Sequence, residues 1–315
     1  MATPALGLSE KQQALRATGI GASEVWDVLN GGIVTYARKI GEAEAFEGSS
    51  LTEFGHRIER VIAEAWTERH PGLRVYTPGT LRHPQHEWAL ASPDRVVAPL
   101  GEGRPARDAW LQVLEIKTVF FSSSEYGEGA DEIPERHLVQ VAWQQEVCNI
   151  EEATLVALVN GDYREYPLHR DRELGALLLQ EVGRFWRENV LARVPPPVDG
   201  SEAYSNYLKR RHPREAGPML PATDEAREIV ARLRETKIAL AQAETLEAEA
   251  ANQLRALIGD AAGIDGLCSW KQNASGGTDW RGLAESLNPT PEQLAAFARP
   301  GARVLRLQTQ KKGAK

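Results

Sequence analysis

Apolar positions along this chain recur at two periods, helical and strand-like, and the two alternate. From about Leu51 to Arg69, Phe54, Ile58, Val61, Ile62 and Ala65 fall at three- and four-residue spacing, the stripe of an amphipathic helix. Short strand signals follow at Leu73–Tyr76, Thr80–Arg82, Trp88–Ala91 and Arg95–Ala98, with Pro and Gly between them. A loop through Gly101-Glu102-Gly103 returns the chain as a strand over Leu111–Thr118. Ile133-Pro134 opens a helix carrying Leu138, Val141, Ala142, Gln145 and Val147; proline suits a first turn, where its missing N–H is not needed. Ala153–Val159 is a continuous apolar run, the mark of a buried strand, and Tyr163–Leu168 is its partner across Asn160-Gly161-Asp162. An amphipathic helix from about Arg172 to Leu191 covers the sheet with Leu174, Leu177, Leu178, Val182, Phe185 and Trp186. Interleaved helices and strands of this kind make an α/β domain.

The two ends differ from this middle. Ser9–Arg16 is a short helical stretch that breaks at Thr18-Gly19-Ile20-Gly21, after which Ser23 is placed to cap a helix over Glu24–Leu29. A glycine turn feeding a helix N-terminus is a ready anion site, although a serine cap with no ligand explains the same residues. Pro195-Pro196-Pro197 ends the compact domain, so residues 1–198 form one domain and 199–222 a polar linker containing Tyr204 and Tyr207. A long helix runs from about Thr223 to Ile258, with Ile229, Leu233, Leu240, Leu254 and Leu257 near heptad spacing, broken at Glu247. At about 1.5 Å per residue it is near 50 Å long, too long to hide inside a domain of this size. Within 259–315, Ala262–Leu283 reads as a small β element with Trp270 and Trp280, followed by a polar, basic tail.

Composition narrows the function. A chain of 315 residues accommodates a core domain of about 200 residues and an appendage. No basic segment followed by an apolar core opens the chain, and no apolar run spans a bilayer, which predicts a soluble, cytoplasmic protein. Cys148 and Cys268 have no C-x-x-C partner, which fits a reducing compartment and excludes a four-cysteine iron–sulfur cluster. A net charge of -7 argues against coating nucleic acid non-specifically, yet allows a local basic groove beside an acidic metal site. Cations cluster at Arg57/Arg60, Arg69/His70/Arg74, Lys209/Arg210/Arg211/His212 and Lys311/Lys312, most of them on solvated faces.

The candidate chemistry centres on Glu115 and Lys117. Strand side chains alternate, so these two emerge on one face while Val113, Leu114 and Ile116 anchor the strand. A carboxylate holds a hard divalent cation, and an adjacent ammonium orients water or neutralises phosphate charge; an exposed ion pair is the bland alternative. Asp94, in Ser92-Pro93-Asp94-Arg95, approaches Glu115 at the open end of a hairpin if the two strands pair; otherwise it makes a turn after Pro93. Glu59 lies one turn from Gly55, whose presence in a helix suggests a close neighbour there. Gln140 and Gln144 lie one turn apart, within reach of phosphates or of a metal's waters. His83 and His86 form the one close histidine pair, a weak metal signal.

Taken in order, these pieces resemble the PD-(D/E)XK nucleases, and among them the YqaJ-like viral recombinase and phage lambda exonuclease family. The resemblance rests on Leu15-Arg16 through Gly19-Ile20-Gly21-Ala22-Ser23-Glu24-Val25, on Gly55-x-x-x-Glu59, on Ser92-Pro93-Asp94, on Leu114-Glu115-Ile116-Lys117 and on Gln140-Val141. Five motifs in the right order across about residues 10–195 are specific where each alone is weak. Ala142, where relatives often carry a second Gln, and Arg95, where Gly commonly follows the Asp, depart from the pattern.

The resemblance implies a PD-(D/E)XK core with a central mixed sheet flanked by helices. It implies Mg²⁺-dependent hydrolysis (Mn²⁺ also serving) of linear double-stranded DNA from the 5′ end, producing single strands for phage-type recombination. It assigns Asp94, Glu115 and the Ile116 carbonyl to a metal, Lys117 to the attacking water, Glu59 to a second-metal or water site, Arg16 and Ser23 to a 5′-phosphate pocket, and Gln140 to support. It also implies a single-strand annealing protein as partner and a homo-oligomer, a ring-like trimer in one branch. The alternatives are a repair or defence endonuclease of the same fold, or a catalytically silent recombination scaffold acting through the long helix.

Overall fold

Strand alternation sorts the middle of the chain onto the two faces of one sheet. The computed structural model describes residues 10–43, 50–101, 103–119, 126–127, 133–273, 276–299, 301 and 303–308; Ser9, Glu102 and Lys311/Lys312 lie outside the described residues. Two compact units result, Met1–Arg211 and His212–Lys315.

In the first unit, α1 (Glu10–Ala17), β1 (Ile20–Gly21), α2 (Ala22–Leu29) and α3 (Ile33–Lys39) precede the long helix α4 (Ser50–Arg69). Then come β2 (Leu73–Tyr76), β3 (Leu81–Arg82), β4 (Ala89–Ala91), β5 (Arg95–Pro99), β6 (Gln112–Val119), α5 (Glu135–Cys148), β7 (Glu152–Val159), β8 (Asp162–His169), α6 (Arg172–Phe185) and α7 (Glu202–Arg211). The main sheet has the order β2-β5-β6-β7-β8, antiparallel except for the β6–β7 pair, which is parallel. A parallel pair needs a crossover, and α5 lies in it. The result is an α/β fold with a central mixed sheet flanked by helices. Among the described residues no helix is long and apolar enough to cross a membrane.

Leu114 and Ile116 of β6, with Val97 and Val156, pack against Ile62, Ala63 and Trp66 of α4. Val113, Leu155 and Ala157 face the other way, into a larger core with Val25, Val141, Trp143, Val147, Leu178 and Val182 from α2, α5 and α6. A second, three-stranded sheet, β1-β4-β3, joins the N-terminal glycine turn to the middle of the chain. Ile20 N–H donates to the Trp88 carbonyl at 2.7 Å, and a Cβ on Gly19 would come 2.1 Å from that same oxygen, so only glycine permits this approach. The β7–β8 hairpin turns through Asn160-Gly161, both at positive φ (52° and 93°), the backbone that a two-residue turn in a right-twisted hairpin demands. Asp171 caps α6 by accepting from Glu173 N and Leu174 N, and a π-helical turn over Trp186–Leu191 completes that helix.

The boundary differs from the sequence reading. Part of the segment read as linker is helix α7, whose Tyr204 and Tyr207 are buried; Tyr207 meets Tyr36 of α3 edge-on at 6.2 Å. Two aromatic residues three apart on a helix supply the apolar face that a mostly polar composition concealed. In the second unit, α8 (Asp224–Ile258) is the long helix, capped by Thr223, whose Oγ1 accepts from Ala226 N. Among the described residues the strands there are β9 (Gly263–Ile264) and β10 (Cys268–Ser269). Trp280 begins a short helix, α9 (Trp280–Ser286), capped by Asp279 and followed by α10 (Pro291–Ala296); the β element is therefore smaller than the sequence pattern indicated.

Candidate active site

The antiparallel register Arg95↔Leu114, carried one residue further, sets Asp94 opposite Glu115 at the open end of the β5–β6 hairpin. Asp94 Oδ2 accepts the Ile116 N–H at 2.8 Å. Burial, first, and then the nearby Glu115 and Glu59 carboxylates push the Asp94 carboxyl well above the ordinary range, with Lys117 opposing them.

Glu115 is 2% exposed, and donors converge on both its oxygens. Lys117 Nζ (2.5 Å) and Gln140 Nε2 (2.5 Å) reach Oε1, while Gln144 Nε2 (2.7 Å) reaches Oε2. Lys117 Nζ also lies 3.2 Å from Gln140 Oε1, which closes a Lys–Glu–Gln triangle. Burial lowers the Lys117 ammonium, but Glu115, Asp94 and Glu59 outweigh it and hold the pKa above its usual value, so the side chain stands here as a donor and cation. Gln140 and Gln144 do together what the sequence left open: both face β6, one turn apart, and hold a carboxylate.

Glu59 reaches this end of the sheet from the α4 face. Its Oε1 takes Arg95 Nη1 at 2.5 Å, and His56 Nδ1 lies 3.5 Å from its Oε2. Arg95 Nη1 also donates to the Asp94 carbonyl at 2.5 Å, so the departing residue bridges Glu59 and Asp94. A Cβ on Gly55 would meet nothing within 4 Å among the described residues, so no packed neighbour accounts for that glycine.

A divalent cation suits this donor set. Two carboxylates, Asp94 and Glu115, face each other at the hairpin mouth, which raises one of them; Mg²⁺ binds through one or two carboxylates and retains water for its other positions. Among the described residues no three His, Cys, Asp or Glu side chains group as a metal cage. The Glu59 carboxylate is engaged by Arg95, which strand alternation directs to the α4 side with Leu114.

At the N-terminal turn, α2 begins at Ala22 with Gly21 as its cap position, so Ser23 lies inside the first turn and is not the cap. Gly21 N–H is instead satisfied by Glu24 Oε2 at 2.8 Å. Ser23 is exposed, and its Oγ accepts from Arg16 Nη2 at 3.4 Å, so the two predicted residues do meet. Glu24 is buried and pairs with Lys39 at 2.8 Å, a residue that carried no motif. His83 makes a turn: its Nδ1 accepts from Gln85 N (3.1 Å) and His86 N (3.2 Å), which leaves Nε2 toward Glu146 at 3.8 Å.

Comparison with known proteins places these features. Residues 12–151 match the YqaJ-like viral recombinase domain. Over 266 residues, 81% of this chain and 79% of the relative, the sequence is 27% identical to the uncharacterized protein YqaJ of Bacillus subtilis (strain 168). Among solved structures, the alkaline exonuclease LHK-Exo from Laribacter hongkongensis, in complex with dAMP, aligns with TM-score 0.49 and 21% identity over 64% of this chain and 97% of that one. The phage related exonuclease from Haemophilus somnus 129PT aligns with TM-score 0.38 and 13% identity, over 59% and 85% of the two chains. The Asp94–Glu115–Lys117 cluster and the Arg16–Ser23 turn both lie within the segment that matches the YqaJ-like viral recombinase domain, in a chain homologous to YqaJ over most of its length.

Proposed function

We propose that the first unit is a metal-dependent deoxyribonuclease that degrades linear double-stranded DNA from its 5′ ends, leaving single strands for recombination. The observation that carries this reading is the convergence of Asp94, Glu115 and Lys117 at one hairpin mouth, with Gln140 and Gln144 both committed to Glu115. Asp94, Glu115 and the Ile116 carbonyl would hold Mg²⁺ or Mn²⁺. When bound, such an ion supplies a water of lowered pKa and Lewis-acid stabilisation of the phosphoryl oxygens.

The chain's own residues supply the rest. Lys117, held as an ammonium between Glu115 and Gln140, orients the attacking water and offsets negative charge on the phosphate. Gln140 and Gln144 keep the Glu115 carboxylate in one orientation, so that a ligand oxygen need not be ordered during turnover. Arg16 and Ser23, together at the first turn of α2, suit a terminal phosphate: a guanidinium, a hydroxyl and a helix N-terminus all favour an anion. An end held there sets the cut by distance from the terminus and not by sequence. The single-stranded product is the substrate of an annealing protein, the partner this reading calls for, and self-association of the nuclease unit goes with it.

Digestion of linear and covalently closed circular duplexes with 5′-phosphate or 5′-hydroxyl ends, in Mg²⁺ and in EDTA, tests the reading beside Glu115→Ala protein. Mg²⁺-dependent loss of linear phosphorylated duplex alone, abolished in the variant, is the expected result. Cutting of circles moves the protein to the endonuclease reading, and no cutting by folded protein leaves a scaffold.

A further inference from the structure

Lys39 lies at the C-terminal end of α3, and its side chain is 5% exposed. Its Nζ donates to the Arg16 carbonyl at 2.8 Å, 23 residues away in sequence, and lies 2.8 Å from Glu24 Oε2. That same carboxylate oxygen accepts the Gly21 N–H at 2.8 Å. One buried ammonium therefore links two backbone segments: the last turn of α1, where a carbonyl lacks its helical partner, and the glycine turn that opens α2. These segments carry Arg16 and Ser23, whose side chains meet at 3.4 Å; Arg16 Nη2 would also stand 3.8 Å from a Cβ on Gly21. Arg38 Nη1 lies 3.8 Å from Glu24 Oε1. A buried ion pair is an expensive way to fill a corner that an apolar side chain of similar volume would fill as well, and it is explained when its hydrogen bonds fix a geometry.

We propose that Lys39, through Glu24 and the Arg16 carbonyl, is a positioning residue that sets the Arg16 guanidinium against the first turn of α2 and so determines discrimination for a terminal 5′-phosphate. The inference rests on the reading of Arg16 and Ser23 as a phosphate pocket. Lys39 does not touch the phosphate; it fixes the backbone from which Arg16 reaches it.

The test uses the full chain and two duplexes that differ only in a 5′-phosphate or 5′-hydroxyl, measured as the ratio of kcat/KM and, in EDTA, as the ratio of binding affinities by fluorescence anisotropy. Lys39→Met is expected to lower the phosphate-to-hydroxyl ratio about tenfold, the loss of one charge-assisted positioning bond, with the change in KM. Lys39→Arg, which keeps the charge and donors, is expected to restore most of the ratio. If Lys39→Met does not fold, Glu24→Gln with Lys39→Met removes the unpaired buried charge and takes the same measurement. A folded Lys39 variant with the wild-type ratio overturns the inference. Arg16→Ala separates the two failures: if it collapses the ratio while Lys39→Met does not, the pocket stands and the positioning role falls. If Arg16→Ala leaves the ratio intact, or the wild type ignores the phosphate, the pocket reading falls and the inference with it.

Discussion

Gln144 donates through Nε2 to Glu115 Oε2 at 2.7 Å from a side chain with no exposed surface. Among the described residues its own Oε1 meets no hydrogen-bond partner, and an unsatisfied buried acceptor costs about 1–3 kcal/mol. What the side chain supplies is its donation to Glu115. Gln144→Leu should leave the unit as stable as the wild type, or more so, while metal affinity and turnover drop about 10- to 100-fold, the usual range for a group that orients a metal-binding carboxylate. Calorimetric titration with Mn²⁺ and rates on linear duplex check this; wild-type affinity in the variant refutes the role.

The ion pair between Arg95 and Glu59 defines a second prediction. Both side chains are partly buried, and the pair lies beside Asp94, whose carbonyl also accepts from Arg95. Glu59→Gln removes a negative charge that acts on Asp94 and Lys117 while keeping the shape. Turnover should fall about tenfold, as for a neighbour that tunes a metal site, with a stability loss of only about 1 kcal/mol. Urea midpoints and turnover are measured together, and unaltered turnover removes Glu59 from the site.

The hairpin that builds the site was legible because it follows from period-two alternation: Asp94 and Glu115 meet as soon as β5 and β6 pair antiparallel. The contact of Arg16 with Ser23 was legible through its motif, but the cap was not, since a buried glutamate three residues on satisfied the Gly21 amide first. Lys39 gave no signal, because its partners are 15 and 23 residues distant and no helical or strand period connects them. Arg95 was visible only as a departure; that it would take Glu59 depends on the angle of α4 over the sheet, which tertiary packing sets. The helix of Tyr204 and Tyr207 was hidden by a polar composition with a short apolar face.

Acid should weaken the first unit through His137. Burial above all, then the Lys117 and Arg136 cations, lower its pKa from 6.5 to about 3, and its Nδ1 lies 2.5 Å from the Tyr126 hydroxyl. Between those two values the unfolded chain binds a proton that the folded chain refuses. Stability from this group is therefore present in full above pH 6.5 and is lost as pH falls toward 3, with a slope of at most about 1.4 kcal/mol per pH unit, less after solvent screening of the partly exposed ring. His137→Gln, which keeps an acceptor for Tyr126, should flatten the Tm profile between pH 4 and 6.5 and leave it unchanged at pH 8. Parallel profiles for the two proteins would show that His137 is not the group responsible.

A buried pair lies at the C-terminal end of α5, the helix that aims Gln140 and Gln144 at β6. Arg170 reaches Glu146 Oε2 through Nη2 at 2.7 Å and Nε at 3.1 Å, and gives Nη1 to Asn149 Oδ1 at 2.9 Å. Gly175 makes room for it, since a Cβ there would come 2.2 Å from that carboxylate oxygen. Arg170→Met strands a buried carboxylate and should cost about 3–5 kcal/mol, whereas Glu146→Leu combined with Arg170→Met removes both charges and should recover most of that loss. For a unit of this size the single variant should melt about 10 °C lower, at roughly 2–4 °C per kcal/mol. Because Glu146 is two residues beyond Gln144, the stable double variant also separates stability from geometry. If its fold returns while turnover on linear duplex stays low, the pair sets the pitch of α5 over Glu115. If turnover returns with the fold, the pair serves stability alone.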